Sequence, residues 1–227
     1  MSTSRHTWAF ERGTLWAVEL DRSTPSPVPS RLAAIFGEIH RGSAELLATA
    51  MDLPHPEPVL RRFTTGRRCF AAWVADRIAA YGWVSQTAEC IGELEREIQL
   101  PAGEAYIWDC VTLPPYRRQR LYSALLSHIL VRLHDESVQR VWIGSSLDNR
   151  ASIRGFANAG FRPVVSLAYA RLFELRGLWM IRHRSVPDHL VHAARQSLTT
   201  DRENWWGPVA VGRSVPTQHL RCAQTEG

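Results

Sequence analysis

Short runs rich in aromatic and β-branched residues are distributed along most of the chain. Runs of this composition and length are typical of strands that are buried on at least one face. They predict strands at Thr14–Leu20, Cys69–Val74, Ile78–Val84, Ala105–Leu113 and Arg140–Gly144, and extended chain over Ile91–Leu100 and from Phe161 to Ile181. Only Ala75-Asp76-Arg77 separates the second and third runs, which predicts a β-hairpin.

Other segments carry apolar residues every three or four positions, which predicts helices. The predicted helices are Arg31–His40, Ser43–Met51, Pro58–Phe63, Gln119–Leu133, Ser152–Ala159 and His189–Gln196. Three prolines within Ser23–Ser30 predict a loop. The order of strands and helices predicts an α/β fold, in which a mixed sheet is flanked by helices.

Composition supports a folded protein. Of the 227 residues, 45% are hydrophobic and 22% charged, so enough apolar material is present to exclude an intrinsically disordered chain. The net charge is +5, and every basic side chain is arginine, without a single lysine. This usage fits either codon bias in a GC-rich genome or phosphate recognition. Because the arginines are scattered, nucleic-acid binding is a minor hypothesis.

The sequence predicts neither a metal site nor a membrane segment. The four cysteines, Cys69, Cys90, Cys110 and Cys222, lack the spacing of zinc ligands. Glu93, Glu95 and Glu97 alternate with other residues, which fits a solvated strand face or a metal- or amine-binding stripe. The first ten residues lack the apolar core of a signal peptide. We therefore expect a cytoplasmic, bacterial protein.

The segment from Val111 to Leu126 combines a strand, a double proline, a basic loop and an amphipathic helix. Such a junction directs unpaired backbone N–H groups and the positive end of the helix dipole to one place, which favours pyrophosphate. A second segment, Asp148–Phe161, follows the next strand. There Asn149 is a suitable helix cap and Gly160 a suitable helix end.

Together these segments resemble the two cofactor motifs of the GNAT N-acetyltransferase superfamily. The residues concerned are Val-x-x-Pro-x-Tyr-Arg-x-x-x-Leu-Tyr-x-x-Leu-Leu and then Asn-x-x-Ser-x-x-x-Phe-x-x-x-Gly-Phe, within residues 104–161. The resemblance implies a splayed, mostly antiparallel mixed sheet. It also implies one domain over residues 1–184, with a helical elaboration at about 28–65 and a C-terminal extension at 185–227.

The resemblance implies acetyl-CoA as acyl donor. The basic loop would bind its pyrophosphate through Arg117, Arg118, Gln119, Arg120, Leu121, Tyr122 and Ser123. The backbones of Val111 and Leu113 would pair with the pantetheine arm, and Asn149, Ser152 and Phe156 complete the predicted cofactor set. In this family the thioester oxygen would be polarised by a backbone N–H near Val111.

The chain departs from the family pattern at three positions. Arg120 and Tyr122 stand where the loop usually has glycine and glycine or alanine, and Phe156 stands where many members have the tyrosine that protonates the thiolate. The motifs fix no base. Glu104 and Asp109 are the candidate bases, and strand alternation predicts that they face opposite sides of the sheet. Tyr106 and Tyr122 are further candidates for proton transfer or substrate contact.

Two functions of different class follow. The first is an acyltransferase acting on a primary amine of a small molecule, peptide or amino-sugar; the second is an inactive CoA-binding sensor or scaffold. Another acyl group and a homodimer are left open. His128 and His134 are expected at the surface, and Trp205 with Trp206 at the edge of the core or against a partner.

Overall fold

The computed structural model describes residues 8–20, 25–94, 96–172, 175–198 and 212–213. Cys222, Trp205 and Trp206 lie outside these residues. The strands are β1 Trp8–Glu19, β2 Ile35–Ile39, β3 Arg68–Val74, β4 Arg77–Ser85, β5 Ala88–Ile91, β6 Arg96–Gln99, β7 Glu104–Thr112, β8 Arg140–Ser146, β9 Arg162–Leu172, β10 Leu175–Arg182 and β11 Gly212–Arg213. The helices are α1 Ala44–Ala50, α2 Glu57–Thr64, α3 Leu121–Asp135, α4 Arg150–Asn158 and α5 Asp188–Leu198.

Nine of the described strands form one sheet in the order β11-β10-β9-β1-β8-β7-β4-β3-β2. Every neighbouring pair is antiparallel except β7 and β8, which run parallel. β5 and β6 form a separate hairpin. The predicted fold class, a mostly antiparallel mixed sheet flanked by helices, is therefore confirmed.

β1 lies inside the sheet, between β8 and β9. Its side chains contribute to both layers of the core: Leu15 and Ala17 pack on one face, and Trp16 and Val18 on the other. A strand that is buried on both faces must be apolar at consecutive positions, which is why the run from Leu15 to Val18 shows little alternation.

Helices cover both faces of the sheet. α3 and α4 pack on one face through a cluster that includes Leu125, Ile129 and Phe156. α1 and α2 cover part of the opposite face, and α5 with the β5–β6 hairpin covers the rest. α5 begins beyond the predicted domain boundary at residue 184, yet Leu190 and Ala194 are buried in the core.

The prediction of a helix at Arg31–His40 is wrong. Residues 25–34 contain no helix, and Ile35–Ile39 form edge strand β2, which pairs with β3. Leu32 and Phe36 pack against the α3 side of the core, whereas Ile35 is 73% exposed. The apolar spacing that mimics a helix therefore combines a loop residue with strand residues. The other five predicted helices are confirmed within a few residues at their ends.

The sequence predicted His128 at the surface, but the structure shows it half-buried on α3. Its ring lies 5.8 Å from that of Phe36 and 6.4 Å from that of Phe70. Burial, with a smaller contribution from Arg132, lowers the pKa of His128.

Within the described residues, no helix has the length and apolar character needed to cross a bilayer. The same part of the chain holds no cluster of three or more histidine, cysteine or acidic side chains arranged to bind a metal ion.

Arg68 ties the edge of the sheet to the end of α3. Its guanidinium donates to Glu38 of β2 at 2.7 and 2.8 Å, and to Glu136 at 2.6 and 2.8 Å. These hydrogen bonds lower the pKa of Glu136 and raise that of Arg68. Three elements that are distant in sequence thus share one charge network.

We expect this network to stabilise the folded protein fully above pH 4.5, the ordinary pKa of Glu136. This stabilisation should disappear as the pH falls through the lower pKa that Glu136 has in the folded protein. Glu136→Gln should reduce the free energy of unfolding at pH 7 by up to about 1 kcal/mol. It should also flatten the loss of stability between about pH 5 and 3. Urea denaturation across this range measures both effects. Glu11→Gln, at an exposed carboxylate, is the control and should change neither.

Candidate functional site

The sheet opens between its two parallel strands. β7 pairs with β8 only from Glu104–Arg140 to Ile107–Ile143. Beyond Ile107, β7 continues as far as Thr112 with β4 alone as its partner. The carboxyl-terminal half of β7 therefore borders a gap, and ligands of open sheets containing parallel strands commonly bind at such places.

A β-bulge lies at the start of this gap. The register passes from Trp83–Trp108 to Tyr81–Val111, so Asp109 and Cys110 together oppose Gly82. Asp109 has a φ of 43°, in the left-handed region. Gly82 is required there, because a Cβ at that position would lie 2.6 Å from the Cys110 sulfur.

The bulge changes which way Asp109 points. Strand alternation predicted that Glu104 and Asp109 face opposite sides of the sheet, but the inserted residue places both on the face away from α3. Glu104 contacts Trp142, which belongs to the core layer beneath α5. Asp109 contacts Arg62 of α2, on the same face.

The two carboxylates have different surroundings. Glu104 is buried at the closed end of the gap, where Arg140 Nη1 and Trp142 Nε1 each donate to it at 2.5 Å. It lies five residues before Asp109 along β7, roughly 16 Å at strand spacing. Asp109 lies where the strands separate, and its side chain is 28% exposed.

The backbone that faces the gap is that of Thr112, not those of Val111 and Leu113 as the sequence predicted. The Leu113 N–H donates to the carbonyl of Ala79, and the Leu113 carbonyl accepts from the Tyr116 N–H. Hydrogen-bonded and non-bonded pairs alternate in antiparallel strands, so Val111 is also turned toward β4 and Thr112 away from it. Arg117 Nε donates to the Thr112 carbonyl at 3.1 Å.

Beyond the strand, the chain forms the predicted basic loop and then α3. Arg118 and Arg120 have φ values of 63° and 59°, and Arg120 is the N-cap of α3. No side chain caps this N-terminus. The first N–H groups of a helix have no acceptor within the helix, and such groups are able to bind an anion. The left-handed arginines stand where glycine would cost least.

α4 begins beside α3, and the cap predicted for it is present. Asn149 Oδ1 accepts a hydrogen bond from the Ser152 N–H at 3.1 Å. Gly160, with a φ of 96°, follows the end of the helix as predicted. Asn149 thus has a structural role as the cap of α4, and Ser152 lies beside Tyr122 in the first turn of α3.

Tyr122 fills the space between α3 and α4. A Cβ at Gly155 would lie 2.2 Å from Cδ1 of its ring, so the large residue on one helix requires the small one on the other. The Tyr122 hydroxyl shares a hydrogen bond with the Ser152 side chain. Burial is the main reason that the pKa of Tyr122 is raised, and the phenol is therefore neutral.

Phe156 and Tyr106 lie in the core rather than in the gap. Phe156 is 1% exposed and packs against Trp16, Tyr122 and Phe161. Tyr106 is buried in the α5-side layer, with its hydroxyl 3.4 Å from the place that a Cβ of Gly144 would take.

Arg62 was missed by the sequence analysis. Its Nη1 donates to Asp109 Oδ2 at 2.5 Å, and its Cζ lies 4.9 and 4.6 Å from the ring centroids of Trp83 and Trp108. The sequence contains a signal, because Arg61 and Arg62 form a basic pair on a short helix. Only the tertiary structure distinguishes the buried Arg62 from its exposed neighbour Arg61.

Comparison with known proteins gives a family match. The model of the Acetyltransferase (GNAT) family matches residues 38–161. A similar solved structure is a GNAT-family acetyltransferase from Novosphingobium aromaticivorans, with 17% identity, a TM-score of 0.49 and coverage of 77% of this chain and 66% of that chain. A GCN5-related N-acetyltransferase from Sphaerobacter thermophilus has 14% identity and a TM-score of 0.55, and covers 76% of this chain and 52% of that chain. A glucosamine N-acetyltransferase region of a fungal multi-domain GH3 beta-N-acetylglucosaminidase has 11% identity and a TM-score of 0.54, and covers 76% of this chain and 21% of that chain. The chain thus spans less than two thirds of each of these structures. No curated protein sequence matches it.

The fit between Tyr122 and Gly155 predicts that the effect of Gly155→Ala on stability changes sign when Tyr122 is removed. Gly155→Ala alone should destabilise the protein by about 1–2 kcal/mol, because overpacking exceeds the gain in helix propensity. In a Tyr122→Ala background the clash is absent, so the same substitution should stabilise by up to about 1 kcal/mol. Urea denaturation of the four proteins measures this cycle. Equal effects in both backgrounds would contradict the packing described.

Proposed function

The chain belongs to the Acetyltransferase (GNAT) family, and from this premise we propose that it is an acyl-CoA-dependent N-acyltransferase that transfers acetyl from acetyl-CoA to a primary amine. The observation that carries the proposal is the gap between β7 and β8, which opens toward the uncapped N-terminus of α3. If the pantetheine arm of acetyl-CoA pairs with β7, the pyrophosphate of the donor would lie at this end of α3.

The residues around the gap suit such a donor. Thr112 offers its backbone, and its Oγ1 is buried without a hydrogen-bond partner among the described residues. The N–H groups of Leu121, Tyr122 and Ser123, with the side chains of Arg117, Arg118 and Arg120, would hold the pyrophosphate. Gln119 completes the loop, and its carbonyl accepts from the Arg31 N–H, which anchors the loop to the segment before β2. Asn149 and Ser152 of α4 are proposed to contact the distal part of the donor.

In the proposed reaction, both substrates are bound when the amine nitrogen attacks the thioester carbon. The carbon–sulfur bond breaks, the amine loses a proton, and the thiolate gains one. Asp109 is proposed to accept the amine proton, because it is the partly exposed carboxylate at the opening. Glu104 is the weaker candidate, since two donors hold it at the closed end.

Tyr122 is proposed to supply the proton to the thiolate. Phe156, which lies beside it, has no hydroxyl, whereas the Tyr122 phenol is neutral and linked to Ser152. Cys110 of β7, the strand that borders the gap, also raises the pKa of Tyr122, which supports this role for the hydroxyl.

A second candidate is a CoA-binding sensor or scaffold without turnover. Arg120 at the loop glycine position and Phe156 at the tyrosine position favour it. The acceptor of the enzyme would be a small molecule, a peptide or an amino-sugar. The fungal glucosamine N-acetyltransferase region with the same fold makes glucosamine a reasonable first compound in a screen.

We expect acetyl-CoA to bind with micromolar affinity in isothermal titration calorimetry, with CoA as the reference ligand. Changing Arg118 and Arg120 together to glutamate should weaken binding by at least about tenfold, because two charge-assisted contacts become repulsive. Arg41→Glu with Arg162→Glu changes net charge equally at exposed positions away from the loop and should leave the affinity unchanged. Absence of binding by the unaltered protein would contradict the proposal.

Tyr122→Phe should lower kcat by about 100-fold and leave acetyl-CoA affinity unchanged, because only the proton donor is removed. Release of CoA from acetyl-CoA in the presence of an amine, followed with a thiol reagent, measures the rate. Tyr169→Phe, which removes a buried hydroxyl from another core layer, should leave the rate unchanged. A Tyr122→Phe enzyme with full kcat would exclude this role.

A further inference from the structure

We propose that Arg62 is a positioning residue, which holds the Asp109 carboxylate and the β7 bulge in place where β7 and β8 separate. This inference rests on the proposed function, in which Asp109 accepts the proton of the amine. It adds a residue from α2, outside the two cofactor motifs, to the reacting centre.

The first support is the contact itself. Arg62 Nη1 and Asp109 Oδ2 are 2.5 Å apart, and the Arg62 side chain is only 11% exposed. A guanidinium so far removed from water is expensive unless it is paired, so its one ion pair in the described part of the chain fixes its position. The same pairing fixes the rotamer of Asp109.

The second support is the position of the guanidinium relative to the bulge. Trp83 and Trp108 are the last paired residues before the register shifts, one on β4 and the other on β7. Arg62 lies over both rings, at 4.9 and 4.6 Å, and cation–π attraction therefore links the two strands at this point. One side chain thus contacts the bulged residue and both residues that precede the bulge.

The third support is strain. A left-handed φ strains a non-glycine residue, so Asp109 holds this conformation because its surroundings compensate. The ion pair to Arg62 is the compensation visible at this residue. Without it, the bulge would be free to relax, and the backbone N–H groups beside the gap would turn with it.

Arg62 is also the charge that acts on Asp109. The other titratable groups near the carboxylate are Tyr81 of β4, Cys69 of β3 and Cys110 of β7. Burial raises the pKa of all three, so they are neutral in the working range. Arg67, whose Cζ is 6.0 Å from the Trp108 ring, is bound to Glu89. The positively charged neighbour in contact with the Asp109 carboxylate is therefore Arg62.

The test compares Arg62→Gln, Arg62→Lys and the control Arg61→Gln, which removes an exposed arginine from the same helix. For each protein, kcat/KM is measured from pH 5 to 9 with acetyl-CoA and the fastest acceptor among glucosamine, spermidine and a peptide with a free N-terminus. Calorimetry with acetyl-CoA is the activity-independent measurement.

For Arg62→Gln we expect the acid limb of kcat/KM to move to higher pH by about one unit, because the carboxylate loses its cation and protonates more readily. At pH 7, kcat should fall at least about tenfold, whereas acetyl-CoA affinity stays within about twofold. Arg62→Lys should keep the acid limb and regain only part of kcat, since lysine restores charge without the planar contacts. Arg61→Gln should change nothing.

An unchanged acid limb and kcat in Arg62→Gln, or an equal shift in Arg61→Gln, would overturn the proposal. If Arg62→Gln does not fold, Arg62→Gln with Asp109→Asn leaves no unpaired charge and is compared with Asp109→Asn alone. A positioning role exerted through Asp109 requires the same pH profile in these two proteins, and different profiles would contradict it.

The failure of the proposed function has a different signature. If no amine gives turnover, the enzyme proposal fails, but the Arg62–Asp109 pair is still tested by NMR. The pH titration midpoint of the Asp109 carboxyl carbon, identified by its loss in Asp109→Asn, should rise in Arg62→Gln and not in Arg61→Gln. An unmoved midpoint overturns the inference whether or not the protein turns over.

Discussion

The separation of β7 from β8 is the constraint on which the rest of this structure depends. Two parallel strands that pair for four residues and then part leave backbone groups that must find another partner. On the β7 side of the gap, the carbonyl of Thr112 accepts a hydrogen bond from the Arg117 side chain. The bulge at Asp109 and Cys110 sets where the opening begins, and the uncapped helix beyond it sets where a charged ligand would end. In the proposed reaction, Asp109 is the group that lies partly exposed where the strands separate.

The two helices that line the opening are matched to each other by volume. In the family pattern the loop carries small residues, whereas this chain has Arg120 and Tyr122. Tyr122 is accommodated because Gly155 leaves room for its ring, and its hydroxyl reaches Ser152 of the same helix. The departure from the pattern is therefore compensated within the structure rather than left as a defect.

Local signals in the sequence were sufficient for most of the fold and for the position of the basic loop before α3. The hairpin at Ala75–Arg77, α3 and the Asn149 cap each depend on neighbouring residues, and each was predicted correctly. What failed depends on partners that are distant in the chain. The β2 segment has helix-like apolar spacing, and only its pairing with β3 identifies it as a strand. One inserted residue in β7 reverses the face of the sheet on which Asp109 lies. Arg62 could not be distinguished from Arg61, because burial beneath two indoles is a property of the assembled structure.

The position of β1 also has a consequence for how the protein is made. β1 leaves the ribosome first, but its partners β8 and β9 begin about 120 and 140 residues later. At usual rates of synthesis this interval lasts roughly 6 to 30 seconds. During that time a strand with apolar side chains on both faces and two open edges has no native partner. The native pairing of β1 therefore has to wait until β8 and β9 have been synthesised, and the earliest of these strands takes its place in the middle of the sheet.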